Sequence, residues 1–359
     1  MESFAYSPLP HKIIFGRGST RQLPQCLREL GFRRPLVLST PYQIDQARQI
    51  TEILKSHVDD TSIFSEATMH TPLGITEKAL RFCQDKGSDV LISIGGGSTT
   101  GLGKAISFRK DLYHIAIPTT YAGSEVTPIL GETVDRIKTT QTNISILPKT
   151  VIYDVDLTLT LPLPMSLTSI INALAHGVEA LYAPNVNPIV SLMAIEGVRA
   201  LARGAVQLLD DPDSIPARST CQYGAWLCGT CLGSVGMSLH HKLCHTLGGS
   251  FNLPHAETHT IVLPHALAYN APKVPKAMEA LASAFPTSNG DALHGLNSLL
   301  NMLGVPRSLE SIGFQEADID KAADIAVSKS YPNPRDIDRD LIREVIRRAW
   351  AGEDARADL

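Results

Sequence analysis

Residues 239–265, LHHKLCHTLGGSFNLPHAETHTIVLPH, hold six of the chain's twelve histidines. His241 and His245 are four positions apart and share one face if the stretch is helical. Gly248-Gly249 is expected to turn the chain, and Pro254-His255 to bring back a third imidazole. Two histidines at i and i+4 with a distant third build either a metal site or a proton-handling pocket. Any one of them alone reads as a hydrogen-bonded structural histidine. The spacing of all three beside Gly-Gly points to a site.

A second chemical feature lies upstream. In DVLISIGGGSTTGLGKAI, residues 89–106, a buried strand runs straight into glycines and then a helix. Glycines let the backbone approach a ligand, and a helix N-terminus favours an anion. A pyrophosphate is the natural guest at the carboxyl end of such a strand. The expected contacts are Gly95, Gly96, Gly97 and Ser98. The spacing is not GxGxxG, so the ordinary dinucleotide fingerprint is absent. A polar loop after the next strand, PTTYAGSE, adds hydroxyls from Thr119, Thr120 and Ser124. The strand at 35–38 ends in Ser39-Thr40-Pro41 with no acidic residue to bind a ribose 2′-hydroxyl or repel a 2′-phosphate. The pocket is therefore expected to take NADH or NADPH, with Ser39 at its rim.

These features need a scaffold. Strand and helix signals alternate through the first part: strands at 12–15, 35–38, 61–64, 89–94, 113–117 and 151–154, helices at 19–30, 42–58, 75–86 and 99–108, and a hairpin at 129–133 and 142–147. That alternation predicts a mostly parallel α/β sheet with helices on both faces. After the proline-marked joint at 161–164 only helix-length apolar periodicity remains. The expected division is an NAD(P)-binding α/β domain at 1–160 and an all-α catalytic domain at 161–359, the fold class being Rossmann-like plus helical.

Composition narrows the partners. Of 359 residues, 43% are hydrophobic and 19% charged, a globular balance with ample core. A net charge of −4 gives no electrostatic footprint for nucleic acid or an anionic membrane. No signal peptide or apolar stretch of spanning length is evident, so a cytoplasmic location is expected. The six cysteines read as reduced thiols, the Cys228-Cys231 pair included, because no partner CxxC completes a zinc site.

Taken together, GGGS, IPTTYAGSEVTPI at 117–129, NALAHGVEALYAP at 172–184, the histidine block, LPHALAYNAP at 263–272 and YPNPR at 331–335 resemble the iron-containing alcohol dehydrogenase superfamily. The resemblance is strongest to its maleylacetate-reducing branch and spans nearly the whole chain. It implies an N-terminal nucleotide-binding domain, a C-terminal helical domain and an active site in the cleft between. Metal-dependent members of the superfamily bind the ion with one aspartate and three histidines. Carried over, those positions are Asn172, His176, His241 and His255, so an amide stands where the aspartate belongs. A neutral amide is a poor partner for a divalent transition metal, although three imidazoles still suit zinc. The resemblance thus implies chemistry for which a metal is dispensable.

The implied reaction is hydride addition to the C=C of maleylacetate and protonation of the resulting enolate to 3-oxoadipate, in aromatic-compound catabolism. His241 and His245 are the candidates for enolate stabilisation and protonation, with His176 and His255 shaping the pocket. Lys242 and Arg335 are candidate counterions for the dicarboxylate, and Tyr121 and Asn172 candidate hydrogen-bonders. Lys138 and Lys104 are expected near the cofactor. The alternatives are a metal-dependent alcohol or polyol dehydrogenase, or a reductase of another enone. A homodimer is expected, paired through the edge strand at 12–15.

Overall fold

The computed structural model describes residues 3–134 and 137–359. The chain divides into one compact unit, Leu9–Leu161, and a second, Pro162–Leu359, with which the segment ending at Pro8 groups.

The first unit contains β1 (Lys12–Gly16), α1 (Leu23–Leu30), β2 (Pro35–Leu38), α2 (Ile44–Leu54), β3 (Ser62–Phe64), α3 (Leu73–Asp85), β4 (Val90–Gly95), α4 (Gly97–Lys110), β5 (Tyr113–Pro118), β6 (Ile129–Val134), β7 (Ile137–Thr142) and β8 (Thr150–Asp154). Six strands form a parallel sheet in the order β1-β8-β5-β4-β2-β3. Its strands are buried on both faces, as parallel sheets require. Val37, Val90, Ile92 and Ile94 pack on α1 and α2 through Leu23, Leu27, Ile50 and Leu54. Their sequence neighbours Leu36, Leu38 and Leu91 point the other way, onto Ala79, Cys83, Leu102 and Ile106 of α3 and α4. Each such side chain contributes about 1.5–3 kcal/mol of burial.

The strand order places a topological switch between β2 and β4. From β2 the chain moves outward to β3, then returns past it to β4 and on to β5. Ligands of open α/β sheets bind beyond the carboxyl ends of strands at such a point. Ser39 follows β2 there, and the glycine turn follows β4.

The hairpin differs from its expected register. β6 pairs with β7, so the second strand ends at Thr142 instead of beginning there. Residues 144–146 form a short 3-10 turn, capped by the Asn143 side chain, which accepts from the Ser145 N–H at 3.0 Å. Ile146 is buried against Ala105 and Leu130, which explains an apolar run that imitates a strand. The Lys138 side chain lies outside the described residues.

The second unit is helical: α5 (Leu163–Ala180), α6 (Pro188–Asp210), α7 (Ile215–Ser234), α8 (Leu239–Phe251), α9 (His255–Asn270), α10 (Pro275–Ala284), α11 (Ala292–Leu303), α12 (Ile319–Val327) and α13 (Arg339–Ala351). α5 is buried almost all round, and a Cβ on its Gly177 would stand 2.7 Å from Cys228 Sγ. Cys228 and Cys231 are thus packing thiols, and burial raises both well above the usual thiol range. Gly248-Gly249 does not turn the chain. α8 runs through both glycines and ends at Asn252, which adopts a left-handed φ of 56°. A buried helix tolerates the roughly 1 kcal/mol that each interior glycine costs. Among the described residues no helix is long and apolar enough to cross a membrane.

Candidate active site

At the carboxyl end of the sheet, Gly95 has φ +148°, and a Cβ there would meet Thr99 Oγ1 at 2.5 Å and Gln43 Oε1 at 2.6 Å. The turn is therefore closed to any side chain. α4 begins at Gly97 with no side chain capping its N–H groups, the arrangement that receives a phosphate. Ser39 Oγ, Thr99 Oγ1 and Thr120 Oγ1 are buried without a hydrogen-bond partner among the described residues. Three orphaned hydroxyls around an uncapped helix fit a bound dinucleotide. Gln43, which sequence reasoning missed, links the two sides of the switch. Its amide donates to Thr119 Oγ1 at 2.8 Å, and its carbonyl accepts from Thr40 Oγ1 at 3.1 Å.

The loop after β5 hangs on Lys104. This fully buried ammonium donates to the Ser124 carbonyl at 2.5 Å, Thr127 Oγ1 at 3.0 Å and the Ile129 carbonyl at 2.8 Å. Burial lowers its pKa to about 7. Lys104 thus shapes the loop from inside, and Ser124, whose hydroxyl faces the same ammonium at 3.3 Å, belongs to that internal anchor. Both were expected to face the cofactor. Burial, which would strand an unpaired charge, turns Lys104 toward backbone carbonyls instead. Tyr121 is fully buried in the same loop.

In the helical unit, α5 presents Asn172, His176 and Glu179 at helical spacing toward α8 and α9. The His176 and His241 rings stack with centroids 5.3 Å apart, and the His241 and His245 rings lie at 6.1 Å. From α9, His259 stands 5.2 Å from His241 and 4.3 Å from His255. Five histidines of the 239–265 block therefore gather with His176. His265 does not join them: burial, with Arg307 and Arg348 nearby, lowers its pKa to about 3. His176, His240 and His259 are also pushed well down by burial, and neighbouring imidazoles add to the effect. All three are neutral at physiological pH.

Glu179 organises the cluster, and sequence reasoning missed it. One carboxyl oxygen accepts the His240 backbone N–H at 2.9 Å, and the other pairs with His241 Nδ1. His241 Nε2 and His176 Nδ1 are then left buried with no hydrogen-bond partner among the described residues. The only sequence signal was Glu179 standing three positions after His176, one helical turn on.

Lys242 is half-buried, with its ammonium 5.7 Å from the centre of the Tyr331 ring. Burial lowers its pKa, and Lys329 nearby adds to this. Arg335 is committed elsewhere. Its guanidinium donates to the carbonyl of Tyr269 at 2.9 Å and to the terminal Leu359 at 2.8 Å, and lies 4.4 Å from the Tyr269 ring centre. A planar donor fork on a terminal carbonyl is a tether, so the expected substrate contact gives way to a structural one.

The ligand set carried over from the resemblance lacks its anionic member. Asn172 supplies no charge. Among the described residues, the group with three ligand atoms within 4.8 Å of one another is His240, Cys244 and His259, not His176, His241 and His255.

A parallel sheet with a glycine turn at its switch point, followed by helices that gather histidines, defines a class. The model of iron-containing alcohol dehydrogenase matches residues 10–155, and that of the Fe-containing alcohol dehydrogenase family, C-terminal, matches 166–350. The chain belongs to the iron-containing alcohol dehydrogenase family. Within it, the chain is 48% identical over 351 residues to the maleylacetate reductase of Delftia acidovorans, covering 98% of this chain and 99% of that one. It is 49% identical over 349 residues to the maleylacetate reductase of Sphingobium indicum, covering 97% and 98%. The crystal structure of maleylacetate reductase from Agrobacterium tumefaciens superimposes with a TM-score of 0.93 at 48% identity, covering 99% of this chain and 100% of that one.

Proposed function

We propose that this chain reduces the C=C of maleylacetate to give 3-oxoadipate, with NADH or NADPH as reductant. The observation that carries this reading is near-full-length identity of 48–49% to maleylacetate reductases, beside which this chain presents a Glu179-oriented histidine group. Gly95, Gly96, Gly97 and the N-terminus of α4 hold the pyrophosphate, and Ser39, Thr119 and Thr120 line the nucleotide. Bound NAD(P)H supplies a hydride to the alkene carbon β to the ketone. The π pair of the C=C then becomes the enolate double bond beside the ketone, and the carbonyl π pair moves onto the oxygen.

The chain's own groups meet that charge. When His241 carries both ring protons, Glu179 accepts the Nδ1–H. The Nε2–H, otherwise buried without a partner, is the donor for the enolate oxygen. His245, partly exposed and one helical turn on, delivers the proton to the carbon beside the carbonyl and recovers it from solvent. His176 and His255 close the pocket. Because His241 and His245 account for both charge and proton, the proposed reaction needs no metal. The absence of an acidic residue after β2 supports use of either nucleotide.

The test follows NADH and NADPH oxidation with maleylacetate, and separately with simple aldehydes, with and without a chelator. Chelator-insensitive turnover of maleylacetate is expected. Chelator-sensitive turnover of an aldehyde with none of maleylacetate would sink the reading in favour of a metal-dependent alcohol dehydrogenase.

A further inference from the structure

We propose that His240, Cys244 and His259 form a divalent-metal site, with the preference of zinc, that ties α8 to α9. It shares no residue with the positions that the family's metal-dependent members use. It is offset from them by one residue on α8 and by one helical turn on α9.

The geometry is that of a ligand set. His240 and Cys244 stand at i and i+4 on α8, and His259 reaches them from α9. His240 Nε2 is 3.0 Å from His259 Nδ1, and Cys244 Sγ is 3.7 Å from His240 Nε2. Zn–N bonds of about 2.1 Å and Zn–S bonds of about 2.3 Å in a tetrahedral site put neighbouring ligand atoms about 3.3–3.6 Å apart. The two nitrogens are within a few tenths of an ångström of that spacing; all three ligand atoms lie within 4.8 Å of one another, and a turn of the Cys244 side chain, whose sulfur is also 4.0 Å from His240 Nδ1, brings it onto the Nε2 side. Two imidazoles and a thiolate suit zinc or cobalt over magnesium or calcium.

The protons balance. Binding releases the Cys244 thiol proton to solvent. The single proton shared between His240 Nε2 and His259 Nδ1 shifts to the far nitrogen of whichever ring carries it. For His259 that is Nε2, a buried atom with no hydrogen-bond partner among the described residues. The three residues are 0%, 2% and 0% exposed, so water does not compete for the ligands. A divalent cation and one thiolate leave one positive charge. The Glu179 carboxyl group, which accepts the His240 backbone N–H at 2.9 Å, is a nearby negative charge. The site is structural: it ties His240, whose ring centroid is 5.1 Å from that of His241, to α9, while Glu179 orients His241 whether or not the metal is bound.

The test uses the full chain, stripped with chelator and reloaded anaerobically with cobalt(II) alone. One equivalent of cobalt is expected to survive gel filtration and show a thiolate-to-cobalt charge-transfer band in the near ultraviolet. That band should vanish in Cys244→Ser and persist in His176→Ala, with circular dichroism reporting the fold of each. X-ray absorption on the unmutated chain loaded with zinc should find one sulfur neighbour at about 2.3 Å, a readout that does not depend on any variant folding. Failure to retain cobalt, retention without the band, survival of the band in Cys244→Ser, or a zinc shell without sulfur would each overturn the proposal. None of these readouts involves turnover, so the result is independent of the substrate assignment.

Discussion

The Glu179 carboxyl group pairs with Nδ1 of His241 while its second oxygen takes the backbone N–H of His240. One buried side chain on α5 thereby sets both the start of α8 and the orientation of the ring proposed to meet the enolate. Glu179→Gln keeps the shape but lets an amide N–H face Nδ1, so the ring loses its fixed direction. Carboxylates that orient metal-bound histidines are worth about 10- to 100-fold, and the same scale is taken for this ring, for which no metal is proposed. We expect kcat with maleylacetate to fall by that factor with little change in KM, and Glu179→Asp to recover part of it. A rise in KM alone would show that Glu179 acts only through the substrate pocket.

At the other end of the reaction stands Gly95. A methyl group there would lie 2.5 Å from Thr99 Oγ1, at a φ of +148° that L side chains rarely adopt. Gly95→Ala should raise KM for NADH by at least about tenfold, equivalent to about 1.4 kcal/mol of binding, and weaken nucleotide fluorescence titrations equally. Gly74 on α3, outside the turn, whose added Cβ would meet nothing within 4 Å, provides the control. Gly74→Ala should cost far less in the same titration.

The scaffold was legible because its signals are local. Strands such as 90–95, continuous apolar runs bounded by turn residues, can only be buried between two layers, and the glycine turn follows from what comes next. The histidines were legible by type and spacing. Glu179 was not, since its meaning arises only when α5 packs on α8. Lys104 and Arg335 misled for the opposite reason. A cation in a sequence shows its charge but not the carbonyls it satisfies, and both prove to be internal tethers. Gly248-Gly249 misled because tertiary burial overrides weak helix propensity. The decisive stop, a left-handed Asn252, is a backbone fact that no pattern displays.

Acid should destabilise the protein before its carboxylates titrate. His114 is fully buried against Ser93, with its Nε2 2.8 Å from the hydroxyl, and burial lowers its pKa from 6.5 to about 3. Between those values the unfolded chain binds a proton that the folded chain refuses. Stability present above pH 6.5 is therefore lost as pH falls toward 3, at about 1.4 kcal/mol per pH unit for one such group. His265 behaves likewise. Lys104, lowered to about 7, is mostly protonated in both states below about pH 6 and adds little to the slope there. Urea unfolding between pH 5 and pH 6.5 should show the decline, and His114→Asn should reduce its mean slope by about 1.1 kcal/mol per unit, since half of the unfolded-state rings are already neutral at pH 6.5. An unchanged slope would mean that the ring is protonated in the folded protein.

Substrate charge offers a last prediction. Burial, and after it the nearby Lys329, disfavours the proton of Lys242, which lies over the Tyr331 ring rather than in an ion pair with an acid among the described residues. Two like charges held together are relieved by an anion, and a dicarboxylate carries two. A charge-assisted hydrogen bond is worth about 1.5–3 kcal/mol when shielded, less where solvent and salt reach it. Because Lys242 is only half-buried, Lys242→Ala should raise KM for maleylacetate by about 3- to 10-fold, about 0.7–1.4 kcal/mol, and leave kcat nearly unchanged. The difference from the unmutated chain should shrink as ionic strength rises, since the interaction is screened. Lys242→Arg, which keeps the charge, should restore most of the affinity. If Lys242→Ala instead lowers kcat at constant KM, the ammonium acts on the reacting enolate and not on a distant carboxylate.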